Sequence, residues 1–459
     1  MGKRLILVLA LALLVTATFS AAYAEVQNVK ISGDIIASGV SRQHFNLQSG
    51  NPGDKKNIDQ KFFMSQIRVR IDADLTDNVQ ATVRLINERV WNGQYDTNTA
   101  TSNNGNSSID LDLAYVTLKE FLYSPLTLTV GRQEIRFGNG LVIGNAGVGD
   151  DIVNIPTDLS ERKSFDAIRA TLNYDPLVVD LIYAKIAEDS TIRNNDANLY
   201  GINATYALNK KTNVSGYYFL KRDNWGGSLE ASAGKADLVN TIGMLISSTP
   251  IENLILSLEG AYQFGKADGS GLAPALNYNK HRAYAIQAMA DYTFAKVKMT
   301  PSIGASYTYL SGEKSGSQSS QNSWDPMYYD QKLGNIAYAL LDFRDLSVLN
   351  LRASCKPVED VTVSVLYGYF DMAKAKQGNW MYSSPSRYDG STHYYEMTGA
   401  PFMRENKKHL GDEIDATITY DYTEDVQFGL TGGIFLPGKA WNVEKQNATQ
   451  LIGSMKVTF

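Results

Sequence analysis

A single cysteine, Cys355, occurs in 459 residues, so no intramolecular disulfide staples the fold. Histidine is nearly as scarce. His44, His281, His393 and His409 stand in no Ser/His/acid or metal-ligand spacing, so no catalytic residue, metal site or cofactor is expected. Neither sign of charge dominates, since 43 Lys and Arg against 48 Asp and Glu give a formal charge of −5. Such a chain lacks the basic patch that marks nucleic-acid binding. Beyond the N-terminus no apolar run is long enough for a spanning helix, so any membrane crossing must be made by strands.

The one apolar run, Leu5 to Val15, comes after Lys3 and Arg4 and closes on Ala22-Tyr23-Ala24. It is too short to span a bilayer and reads as a cleavable secretory signal over residues 1–24, cut before Glu25. No linker or low-complexity tract divides the remainder of the chain, so residues 25–459 are expected to form one domain.

Tyrosine (27) and glycine (37) are plentiful, and alternation of apolar and polar residues is the dominant pattern. In "IRVRIDADLTDNVQATVRLINE", Ile67, Val69, Ile71, Ala73 and Leu75 share one parity, and Arg68, Arg70, Asp72 and Asp74 the other. Comparable runs predict eighteen strands. The first nine are 29–42, 61–75, 79–90, 109–120, 126–137, 164–174, 177–187, 198–208 and 214–222. The second nine are 237–248, 254–264, 283–294, 297–309, 346–356, 361–370, 409–420, 426–436 and 448–459.

The connections alternate between short and long. Short ones such as "TDN" (76–78), "DP" (175–176) and "AK" (295–296) hold about five residues or fewer, whereas 310–345 and 371–408 are long. An even strand number with tight turns at one end and long loops at the other implies an all-β fold, a transmembrane antiparallel up-and-down β-barrel. The short turns would be periplasmic and the long loops extracellular, in the outer membrane of a Gram-negative-type bacterium. Tyr174, Tyr206, Phe294, Tyr420 and Tyr422, close to short turns, suit an aromatic girdle.

Three stretches carry a family resemblance. "GSMKVTF" ends the chain on Phe459 and resembles the terminal strand by which outer-membrane barrels are recognised for assembly. "GRQEIRFGNGLVIGN" (Gly131 to Asn145) with "RKSFDAIRA" (Arg162 to Ala170) resembles the central signature of the alginate export family of outer-membrane porins. "GDEIDATITYDYTEDVQFGLTGGIFLPGKAW" (Gly411 to Trp441) is similar to that family's C-terminal region. The resemblance implies an eighteen-stranded monomeric barrel that passes polar solutes, in the name-giving members an anionic polyuronate. Its partners would be the lipid bilayer and lipopolysaccharide, the assembly machinery and a polar or anionic solute.

With the apolar parity against lipid, the lumen candidates are Arg68, Arg70, Arg84, Arg132, Arg169, Arg352, Glu259, Glu413 and Asp415. A three-residue turn at "TDN" sets Arg70 opposite Arg84, which calls for a counter-charge or an anionic visitor. Two readings stand: a mid-lumen arginine cluster that selects anions, or a structural network in which Glu259, Glu413, Asp415 or an inward loop neutralises it. Simple alternation sends Arg132 toward lipid, so a bulge at Gly131 is expected to turn Arg132 and Glu134 inward. The inward loops are expected from 310–345 and 371–408. "DTNTATSNNGNSSIDLD" (Asp96 to Asp112) reads as a solvated loop without the regular positions of a calcium loop.

The leading function is thus a passive outer-membrane channel. The competing ones are a barrel that serves as scaffold for a partner complex, and a barrel hydrolase; ion conductance, co-purifying subunits and turnover dependent on a loop histidine discriminate them.

Overall fold

Alternating side chains give each strand one apolar and one polar face, and a closed sheet lets every one of these faces find its medium. The computed structural model describes residues 28–45, 47, 59–91, 109–146, 155–188, 196–224, 237–267, 279–313, 320–375, 380–381, 402–441 and 445–459. Residues 1–27, and with them the signal segment, lie outside this range, as do 96–108 of the proposed solvated loop and most of 371–408.

Eighteen wall strands run in chain order: β1 (Asn28–Gln43), β2 (Gln60–Thr76), β3 (Val79–Val90), β4 (Asp110–Leu118), β5 (Leu126–Glu134) and β6 (Ser164–Asn173). Then come β7 (Leu177–Ala187), β8 (Ala197–Asn209), β9 (Thr212–Asp223), β10 (Asp237–Ser248), β11 (Leu254–Ala267) and β12 (Asn279–Thr293). The last six are β13 (Ser302–Leu310), β14 (Leu346–Val358), β15 (Val361–Met372), β16 (His409–Asp421), β17 (Val426–Pro437) and β18 (Ala448–Thr458). Each pairs antiparallel with its sequence neighbour, and β1 closes on β18 from Asp34↔Thr458 to Gln43↔Thr449. A two-residue piece, Ser320–Gln321, adds a short parallel pairing at Lys280 and His281.

The strand predictions hold within a few residues, and the differences lie in the turns and bulges. Periplasmic connections are not all five residues or shorter: 294–301 replaces the expected "AK" turn, with Met299 and Thr300 at positive φ. The bulge expected at Gly131 is absent. Gly131 pairs with Tyr115 on one side and Ala167 on the other without a register shift. The extra residue sits one strand away, where the β3–β4 ladder steps from Arg84↔Leu113 to Leu85↔Leu111 and passes over Asp112.

Outside the barrel, Ile31, Ile71, Leu181, Ile286, Ile414 and Leu451 are exposed, as lipid-facing residues must be. Tyr174, Tyr206, Phe294, Tyr420 and Tyr422 are exposed beside the short turns, in girdle positions. The buried apolar cluster lies inside. There Ile135, Phe137, Leu141, Val142 and Ile143 from the β5–β6 loop meet Trp324, Ile336, Leu340 and Phe343 from the β13–β14 loop. Both loops pack on inward residues of the wall, including Phe165, Phe219, Leu310, Phe370 and Phe435.

Candidate functional site

On the β1–β7 side the inward parity is charged. Arg70 lies directly opposite Arg84 as expected, although not through a three-residue turn: Thr76 rather than Leu75 pairs with Val79, and a register shift between Asp74 and Thr76 restores the opposition. Each guanidinium has its own carboxylates. Arg70 donates to Asp72 at 2.7 and 2.9 Å, and Thr82 donates to the same carboxylate. Arg84 pairs with Asp112, displaced inward by the bulge, and with Glu134. Arg68 pairs with Asp34 on β1 at 2.6 Å and with Glu161 at 3.5 Å. Arg169 pairs with Asp180 at 2.8 Å and lies over the Phe137 ring at 5.5 Å. The like-charge conflict is therefore settled locally, by Asp72 on the same strand as Arg70 and by Asp112 and Glu134 on the strands beyond Arg84.

Glu259, Glu413 and Asp415 do something else: they hold inward loops. Glu413, buried completely, accepts from the backbone N–H groups of Ile336 (2.6 Å) and Ala337 (2.7 Å). These are the first N–H groups of the short helix α1 (Ala337–Leu340), which otherwise lack partners. Asp415 accepts from Asn335 N–H at 3.1 Å. Glu259 accepts from Asn139 N–H at 3.2 Å and from the Tyr217 hydroxyl at 2.8 Å. None of these three carboxylates is paired with the arginines of the β1–β7 wall, so the network expected to neutralise the cluster is built from other residues.

The two loops also bind each other. Tyr328 N–H donates to Val142 O (3.0 Å), and Gly144 and Asn145 N–H donate to Tyr328 O. Asp330 receives Arg136 (3.0 Å) and Lys163 (2.9 Å). Farther along, Lys221 on β9 pairs with Asp325 at 2.9 Å, and Gln263 bonds both the N–H and the carbonyl of Asp325. Burial acts to raise the Asp325 pKa, but the Lys221 charge and hydrogen bond, with the Met327 N–H, outweigh it and hold it down to about 2.

The end of the β5–β6 loop, residues 155–163, lies over β1–β4 as a strap. Glu88 on β3 accepts from Gln66, the Ser160 hydroxyl, the Glu161 N–H and Arg162. Arg162 also reaches Asp110, and Arg42 pairs with Asp158. Sequence reasoning missed Glu88, Arg162, Asp158 and Arg42 as loop anchors, and missed that the β5–β6 loop folds inward. The signal available was Gly138 and Gly140 in "FGNGLVIGN", both at positive φ, which let the chain turn sharply off β5. The β13–β14 loop folds inward as expected.

The remaining candidates separate. Arg132 keeps step with Val130 because pairing is regular through Gly131, and it pairs with Asp166 at 2.9 Å and donates to Leu111 O. It is therefore not grouped with Arg70 and Arg84, although Glu134, at the end of β5, reaches Arg84. Arg352 stands on the far wall, bonded to Asp291 at 2.9 and 3.1 Å and to Ser306 at 3.1 Å. His281 bonds Gln263 (3.1 Å), and His409 lies between Asp371 and Asp412 (3.0 Å each). His393 lies outside the described residues.

A closed barrel of eighteen strands, lipid-facing outside and charged within, is matched by a sequence profile described as alginate export over residues 41–453. The chain belongs to the alginate export family. A comparison with curated protein sequences returned no match. Among solved structures, Pseudomonas aeruginosa OccK9 (OpdG) is similar at TM-score 0.56 and 11% identity, covering 95% of this chain and 99% of that one. P. aeruginosa OccK8 (OprE) has TM-score 0.55 and 12% identity, over 95% and 99% of the two chains. P. aeruginosa OpdK, solved with vanillate, has TM-score 0.51 and 11% identity over 94% and 99%. Such low identities establish the fold alone. This member of the alginate export family is an outer-membrane channel for polar solutes, narrowed by two inward loops.

Proposed function

We propose that the channel passes small carboxylate-bearing polar solutes by passive diffusion, as a monomer and without a chemical step. The observation that carries this reading is the state of Arg70 and Arg169. Their side chains are 35% and 29% exposed in the lumen, and each is pinned by one wall carboxylate. A guanidinium has five N–H donors, and among the described residues Nη1 of neither arginine makes a hydrogen bond. A charge fixed in place with open donors is suited to brief, repeated carboxylate contacts. The family's name-giving solute is a polyuronate, and the vanillate solved with OpdK is a carboxylate too. The two inward loops narrow the bore, which favours small solutes over a polymer. Export would use residues 1–24 as a cleavable signal, and insertion would use the strand ending at Phe459.

Single-channel recording across a salt gradient tests the reading on wild type and on Arg70→Ala with Arg169→Ala. The reversal potential should move toward cation preference in the double variant. An unchanged reversal potential refutes carboxylate guidance by this wall. Arg84 is a poorer choice, because its loss leaves the fully buried Asp112 carboxylate without its cation. A barrel that conducts nothing and co-purifies with a subunit would favour the scaffold role instead.

A further inference from the structure

Across the lumen from the arginines, six adjacent strands align two inward rows. The upper row runs Asp291, Gly304, Arg352, Leu366, Asp415 and Gly433, from β12 to β17, each residue paired with the next. The row below it, two residues closer to the periplasmic turns, is Thr293, Ser302, Ser354, Ser364, Thr417 and Thr431, again each paired with the next. Every member of the second row carries a hydroxyl. Above these rows hangs Asn335 of the β13–β14 loop, and between loop and wall is a half-open cavity of about 310 Å³.

The chemistry of this cavity differs from that of the β1–β7 wall. Arg352 is laid flat across Gly304, where an added Cβ would fall 2.0 Å from Asp291 Oδ1 and 3.2 Å from Arg352 Nε. Both its terminal nitrogens are taken, one by Asp291 and one by Ser306, so it offers little to a solute carboxylate. With Asp291 and Asp415 beside it, the upper row holds two acids to one base. Ser354 and Ser364, by contrast, line the cavity and make no side-chain hydrogen bond among the described residues. Leu366 adds an apolar patch between the two carboxylates. Free hydroxyls, carboxylate acceptors and a small apolar surface form a setting for the hydroxyls and C–H face of a sugar, and the surplus of acid disfavours an anion.

We infer that this cavity is a subsite for one neutral, hydroxyl-rich sugar unit in transit, held by Ser354 and Ser364 below Asn335. The lumen is then two-sided, with guanidiniums on β2–β6 and hydroxyls on β12–β17. The inference rests on the channel reading but not on the preference for carboxylates.

The probe is maltotriose, a neutral trisaccharide, added to the full barrel in a planar bilayer while current interruptions are timed. Wild type should show interruptions that saturate with sugar concentration. Ser354→Ala with Ser364→Ala should shorten them about three- to tenfold, the loss of two modest hydrogen bonds. Unit conductance and reversal potential should stay as in wild type, which establishes that the variant barrel is intact. If the double variant fails to insert, each single variant should shorten the interruptions about two- to threefold. Arg70→Ala, on the other wall, should leave them unchanged. Conducting wild-type channels that maltotriose does not interrupt, or serine variants with wild-type interruption times, overturn the subsite and leave the channel reading standing. Wild-type barrels without conductance overturn both.

Discussion

Arg70 and Arg84 face each other across β2 and β3, and what surrounds them shows how one residue type serves two ends. Arg84 is 11% exposed and closed between Asp112 and Glu134, whereas Arg70 is 35% exposed with an open edge toward the lumen. Burial distinguishes structural arginines from available ones, because removing one partner of a buried pair strands the other charge away from water. Arg162 belongs to the first kind: its side chain is 4% exposed and that of its partner Glu88 is fully buried. Arg162→Ala should therefore cost about 3 to 5 kcal/mol, the penalty for stranding a buried charge. Urea unfolding of the refolded barrel in detergent micelles measures it, and a loss under 1 kcal/mol, about that of an exposed pair, would contradict the account.

At the scale of elements, the walls were legible in the sequence and the inward loops only in part. Strand alternation has a period of two residues and turn chemistry is local, so a short window suffices to place β2 and β3, whereas the Arg70–Arg84 opposition also depends on the register shift at Leu75. A loop's destination depends on remote partners: Ile336 finds Glu413 77 residues on, and Asn139 finds Glu259 120 residues on. Gly138 and Gly140 mark a sharp turn beside Asn139, but nothing near either segment names its distant partner. The Gly131 expectation failed because alternation alone does not fix where a ladder takes up an extra residue. That residue is Asp112 on β4, and Arg132 stays in step with Val130.

The same element scale gives a pH dependence. Asp325 has its pKa lowered from 3.8 to about 2 in the folded protein. A carboxylate depressed in this way contributes stability above its ordinary pKa, and that contribution is lost as pH falls through the folded value. The β13–β14 loop should stay latched to Lys221 from neutral pH down to about 4 and loosen between 4 and 2. Conductance at symmetrical salt should then rise or become noisy within that window, and Asp325→Asn should behave so already at neutral pH. Wild-type conductance that is flat down to pH 2 would count against the latch.

For the whole molecule, closure is the decisive event, because an open sheet of this length would leave two unpaired edges in lipid. The seam is finished by Phe459, whose carbonyl accepts from Gly33 N–H at 2.8 Å and whose N–H donates to Gly33 O at 3.0 Å. Its ring lies against Gly33, where an added Cβ would meet it at 2.7 Å. Deleting Phe459 should lower the yield of closed barrel in outer-membrane fractions several-fold, seen as loss of the compact form on unheated gels. Wild-type yield would show that the rest of the β1–β18 ladder is enough.

The sequence by itself determined the strand number, the sorting of loops by end and the outward face of most strands. These follow from nearest-neighbour chemistry and from a medium that rewards apolar side chains along every strand. Only the tertiary structure decided which carboxylates answer which arginines, which loops enter the lumen, and which guanidiniums are left open to a solute. Those choices are made between residues far apart in sequence, where burial and competing partners, rather than spacing, set the free energy.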